Sequence, residues 1–163
     1  MELNAEQYFQ AGLERMRQAR LLYQAADSFA LCMYTAGLAV ECVLRAFRWR
    51  KDPSFSGRHD LMELFAASGI LPTYETHMRA RGADPGEIDQ EALELHAAMQ
   101  VMAVRWANSF RFASEARLRA RLKEMGLYRG KKGDVLKANS LALLGAAQAI
   151  LDKGVFLWTS GKR

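Results

Sequence analysis

A long apolar segment that contains a single charged residue constrains this chain most strongly. Between Phe29 and Leu44 the only charged side chain is that of Glu41, and both of its neighbours, Val40 and Cys42, are apolar. Removing a charge from water costs roughly several kcal/mol unless the charge is paired, hydrogen-bonded or protonated. Glu41 therefore either lies at a solvent-exposed edge or meets a cationic partner brought to it by the fold.

The same segment predicts a buried helix of a soluble protein, with no membrane span. It is shorter than the roughly 20 apolar residues that cross a bilayer, and four basic residues follow within residues 45–51. Cys32 and Cys42 would lie about 15 Å apart on one helix, too far for a disulfide. Free thiols and a polar, acidic N-terminus without signal-peptide character favour a cytoplasmic location.

The pattern along the rest of the chain predicts an all-α fold. No apolar–polar alternation of the kind that marks strands is sustained, and the three prolines, at 53, 72 and 85, fall between helical patterns. A length of 163 residues fits one domain, 1–163, with its core within about 5–158. The predicted helices span about 4–25, 27–51, 59–68, 86–108, 114–125 and 134–158, with one further short helix in 70–86.

The final predicted helix carries two apolar stripes. The first includes Leu143 and Ile150, and the second consists of Leu144, Leu151, Val155 and Trp158. We expect one bundle core to bury only one of these stripes. The second stripe therefore predicts a homodimer.

Three segments together resemble a known family. The segment AGLAVECVLRAF carries Glu41 with Arg45 four residues later, and GRHDLMEL carries His59 and Asp60 at a helix start. The third segment is WANSFRF, residues 106–112. In their order and spacing these segments resemble the HEPN family, the higher-eukaryote and prokaryote nucleotide-binding domains.

The resemblance implies an antiparallel helical bundle that is commonly dimeric. Some members bind nucleotides or partner a separate nucleotidyltransferase chain, and a toxin–antitoxin-type system is a further expectation. It also implies that the central glutamate faces a basic residue, here Arg45 with His59 or Arg111. Asp60, favoured by the dipole at its helix start, completes this expected polar centre. The alternatives for Glu41 are a structural ion pair, a polar ligand pocket or a solvent-exposed edge.

Other members of the family are metal-independent ribonucleases, which carry an arginine followed by four to six residues and then a histidine. None of the three histidines in this chain completes that pattern. We therefore expect a binding module with no catalytic residues and no cofactor. One alternative is a diverged ribonuclease built around Arg105, Asn108 and Arg111, and a second is a purely structural dimerisation module.

The charge distribution indicates where an anionic partner would bind. The net charge is +5 with an isoelectric point near 9.4, and basic residues are concentrated between 111 and 132. Guanidinium groups match phosphate geometry, so a nucleotide or RNA is the expected ligand. The candidate anion-binding residues are Arg105, Asn108, Arg111, Arg117 and Arg121. An ordinary solvated face is the alternative, and the Cys/His spacing predicts no metal site.

Overall fold

The computed structural model describes residues 3–54, 59–127 and 133–161, and within them the chain is helical with no strand. This confirms the predicted all-α class. The α-helices are α1 (Ala5–Ala25), α2 (Phe29–Lys51), α3 (Leu61–Ser68), α4 (Ile70–Ala80), α5 (Pro85–Arg105), α6 (Glu115–Glu124) and α7 (Val135–Ser160), and a short 3-10 helix spans Asn108–Phe112.

Local capping chemistry sets most of the helix ends. Asn4 and Gln7 form a reciprocal capping box at the start of α1, and Ser28 accepts a backbone hydrogen bond at the start of α2. Gly69 adopts a left-handed conformation, with φ of 64°, where α3 ends and α4 begins. The α5 helix ends at Arg105, earlier than its sequence pattern predicts, because the backbone of the next residue is extended.

Helix α2 lies at the centre of the bundle, and its neighbours approach it closely. It packs along α1, α7 and α3, and most of its residues are buried, as its continuous apolar sequence predicts. A Cβ atom added at Gly12 of α1 would lie 2.6 Å from Val43 Cγ2, and one added at Gly154 of α7 would lie 2.8 Å from Val43 Cγ1. The absence of a side chain at these two positions therefore brings α1 and α7 against α2.

The second apolar stripe of α7 is largely buried within one chain. Leu144, Leu151 and Trp158 are 8%, 2% and 2% exposed, and only Val155 is exposed. The Trp158 ring stacks on Phe9 of α1 with 4.3 Å between centroids. The expectation that one core cannot bury both stripes is therefore wrong, because α1 and α2 cover the second stripe. A dimer would need another surface.

Two of the described helices, α2 and α7, are long and apolar enough to cross a membrane by length and composition alone. Within the fold, 72% of the apolar window of α2 and 50% of that of α7 is buried. Core helices pass the same test of length and composition.

Gly37 gives a direct test of close packing on α2. A Cβ atom there would lie 2.1 Å from the indole ring of Trp106, whereas a Cβ atom at Gly145 of α7 meets no described atom within 4 Å. Gly37→Ala should lower the free energy of unfolding by about 1–3 kcal/mol through overpacking. Gly145→Ala should raise it by about 0.5–1 kcal/mol, because alanine favours a helix interior. Chemical denaturation of both variants checks the prediction, and equal effects would contradict it.

Candidate functional site

Glu41 lies in the middle of α2 and is 2% exposed. This burial excludes the solvent-exposed edge that the sequence left open. The carboxylate is met by side chains from its own helix and from the segment that leads into α3. Glu41 therefore sits where two elements join.

One carboxylate oxygen of Glu41 receives both contacts. Arg45 Nε donates to Oε1 at 2.8 Å, and His59 Nδ1 lies 2.7 Å from the same oxygen. The other oxygen, Oε2, is buried and has no hydrogen-bond partner among the residues that the structure describes. The Arg45 side chain is 13% exposed and that of His59 is 52% exposed. Arg111, the other sequence candidate, makes no contact with Glu41 among the described residues.

Asp60 holds His59 in place indirectly. Its carboxylate accepts backbone hydrogen bonds from Met62 and Glu63 at 2.9 Å each, so it caps the N-terminus of α3. The cap fixes where α3 begins, and the residue before the cap is His59. Glu41, Arg45, His59 and Asp60 therefore join α2 to α3, and this geometry matches the structural ion pair among the alternatives.

A second polar site lies between the 3-10 helix and α6. It is a cleft of about 330 Å³. The residues that line it are Ala107, Ser109, Phe110, Ala113, Arg117, Leu118, Arg121 and Glu124. The structure therefore brings together two of the sequence-predicted anion-binding residues, Arg117 and Arg121.

The wall formed by the 3-10 helix is anchored to α2 through Trp106. Trp106 Nε1 donates to the backbone oxygen of Tyr34 at 3.0 Å, and its ring covers Gly37. The extended backbone at Trp106 ends α5 and turns the chain into the 3-10 helix. The position of this wall therefore depends on the core.

The wall formed by α6 presents its arginines through helical periodicity. Ser114 caps the helix by accepting from the backbone nitrogen of Arg117 at 3.3 Å. Leu118 and Leu122 are buried on the inner face. Arg117 and Arg121, each one position before a buried leucine, stand one turn apart beside that face.

Neighbouring charges differ along α6. Arg119 makes a bidentate pair with Asp134 at 2.7 and 3.1 Å, which holds the pKa of the Asp134 carboxyl below its usual value. Arg121 Nη1 lies 3.8 Å from Glu124 Oε2, at the limit of an ion pair. Arg117 has no ion pair with any residue in the described ranges. Among the described residues, the cleft therefore contains one cation without a counter-charge and one that is weakly paired.

The other three predicted anion-binding residues lie outside the lining of this cleft. Arg105 ends α5 with its Nε buried and without a hydrogen-bond partner in the described part of the chain, and Asn108 begins the 3-10 helix. Arg111 is exposed, with its guanidinium carbon 4.6 Å from the centroid of the Phe112 ring. The sequence analysis did not predict Ser109 and Glu124. The turn after Trp106 places Ser109 in the cleft, and the end of α6 places Glu124 there.

The histidines offer no metal site within the described parts of the chain. His77 packs edge-on against Phe156, and His96 packs against Phe65. No group of three or more His, Cys, Asp or Glu residues there is arranged to hold a metal ion. The cysteines are free, and burial raises the pKa of each thiol to about 11.

No family model, curated protein or solved structure matches this chain.

Removing the Glu41 carboxylate should destabilise the fold strongly. Glu41→Ala removes the carboxylate that pairs with the largely buried Arg45, so the free energy of unfolding should fall by about 3–5 kcal/mol. His59→Ala should cost about 1 kcal/mol, because an exposed pair contributes little. Urea denaturation monitored by circular dichroism measures both variants. A Glu41→Ala midpoint equal to that of the parent protein would contradict the structural assignment.

Proposed function

We propose that this chain is a HEPN-like helical module that binds a phosphate-bearing ligand, a nucleotide or RNA, in the cleft between the 3-10 helix and α6. It serves a separate nucleotidyltransferase chain or a toxin–antitoxin-type system in the cytoplasm, and it contributes no catalytic residue of its own. The resemblance of its three segments to the HEPN family supports the biological setting. The cleft supports the ligand class.

The observation that carries the proposal is the pair of guanidinium groups in one cleft. Arg117 and Arg121 line the same cavity of about 330 Å³, a volume at the small end of ligand sites. Guanidinium groups form bidentate, charge-assisted hydrogen bonds with phosphate oxygens. Because Arg117 has no counter-charge within the described residues, a phosphate there would meet an unpaired cation.

The opposite wall suits the rest of a nucleotide. Phe110 is half-buried and presents an aromatic side chain to the cleft, and Ser109 adds a hydroxyl group. An aromatic ring stacks on any base, since every base has a π face. The hydroxyl can donate to or accept from a sugar. A phosphate at the arginines and a base against Phe110 would thus occupy both walls.

Titration with inorganic pyrophosphate and with AMP tests the proposal. Arg117→Ala and Arg121→Ala should each weaken binding about 10-fold, the usual effect of losing one charge-assisted hydrogen bond. Arg117→Lys should recover only part of the affinity, because lysine keeps the charge and loses the bidentate geometry. Isothermal titration calorimetry at low salt measures all three variants.

Arg79→Ala is the matched control, since it removes the same charge from an exposed position on α4. It should bind both probes like the parent protein. If Arg79→Ala weakened binding equally, the loss of affinity would come from the change in net charge and not from the cleft. Absence of binding to either probe or to RNA would favour the purely structural module.

We expect no ribonuclease activity from the pure protein. Metal-independent cleavage needs a base and an acid that titrate near neutral pH, for which histidine is suited. No histidine lines the cleft, and guanidinium groups do not deprotonate in proteins. Single-stranded RNA and transfer RNA should remain intact with or without magnesium, while weak RNA binding should fall with salt. Multiple-turnover cleavage lost in Arg111→Ala or His59→Ala would instead support the diverged ribonuclease.

A further inference from the structure

A second concavity, larger than the cleft beside α6, lies elsewhere on the described surface. It is a groove of about 650 Å³ between α1 and α2. Its lining is mainly apolar, and two of its leucines, Leu21 of α1 and Leu31 of α2, are 52% and 47% exposed. Single exposed apolar residues are ordinary, but two exposed leucines in one concave apolar surface favour a site of interaction.

The charged residues of the groove stand at its two ends. Helices α1 and α2 run antiparallel, because they are joined by a short turn and Gly12 lies beside Val43. Asp27 lies in that turn, at one end of the groove. Arg15 lies toward the other end, and residues 15–25 alone span roughly 15 Å along α1.

Neither charge is neutralised by a residue that the structure describes. Arg15 Nη1 donates to Gln18 Oε1 at 2.8 Å, which is a neutral acceptor. Asp27 has no ion pair with residues 3–54, 59–127 or 133–161. The groove thus presents one cation and one anion, separated by an apolar floor.

We propose that a second copy of this chain docks in the groove through a two-fold axis that crosses its middle. In a two-fold dimer the same surface patch of each chain contacts its copy, and the two patches run in opposite directions. Arg15 of one copy then faces Asp27 of the other, and the pairing occurs twice. The exposed leucines of each copy enter the apolar floor of its partner. This arrangement removes the apolar surface from water and neutralises all four charges.

The proposal goes beyond phosphate binding and does not depend on it. The groove shares no lining residue with the arginine-lined cleft. It also moves the expected dimer contact from α7, whose second stripe is largely covered within one chain, to α1 and α2. A failure of pyrophosphate binding would leave the dimer unaffected, so the two proposals can fail separately.

Sedimentation velocity of the full chain over a range of micromolar concentrations tests the apolar contact. The parent protein should sediment as a dimer. Leu21→Asp and Leu31→Asp should each weaken association at least about 100-fold, because each buries a charge in the interface. Leu93→Asp is the matched control, since Leu93 is a 65% exposed leucine on α5, and it should leave the dimer unchanged.

Charge reversal tests the two-fold register. Arg15→Asp and Asp27→Arg should each weaken the dimer about 10-fold by placing like charges opposite one another. The double variant Arg15→Asp/Asp27→Arg should restore the parental dissociation constant, because every pair is again opposite in sign. Circular dichroism confirms that each variant is folded.

Three results would overturn the proposal. A monomeric parent chain would leave the groove to a ligand or another protein. Dimers insensitive to both leucine variants would place the contact elsewhere. A double charge variant as weak as the single variants would exclude this register.

Discussion

Close approach to α2 is the constraint on which the rest of the structure depends. Glycines at 12 and 154 let α1 and α7 pack against Val43, and Gly37 accepts the ring of Trp106. Helix α2 offers no solvated position for a charge on these packed faces. Its one carboxylate, Glu41, is therefore stabilised by an arginine one turn away and by a histidine from the next segment.

The candidate site follows from the same packing. Because Trp106 is fixed on α2, the chain leaves α5 in an extended conformation and forms the 3-10 helix at a set distance from the core. Buried Leu118 and Leu122 then hold α6 in place, and helical geometry places Arg117 and Arg121 beside it. The arginines are thus carried on a rigid element, as a preorganised anion site requires.

The sequence predicted what local patterns determine. The helices predicted to start near residues 4, 27 and 114 begin within two residues of those positions. The resemblance to a known family offered Arg45 with His59 or Arg111 as partners of Glu41, and the structure shows Arg45 and His59. The covering of the second stripe of α7 could not be predicted, since it depends on the stacking of Trp158 against residues distant in sequence. The sequence also could not show which arginines line the same cleft, because that depends on the turn after Trp106.

The central claim is that the ligand phosphate binds Arg117 and Arg121. Arginine side-chain Nε–Hε NMR spectra recorded during a pyrophosphate titration test this claim most directly, because each guanidinium group reports separately. The account predicts saturable shifts for Arg117 and Arg121, with the signals of Arg111 and Arg79 unchanged. Saturable shifts confined to Arg105 or Arg111 would contradict it and move the site to the end of α5.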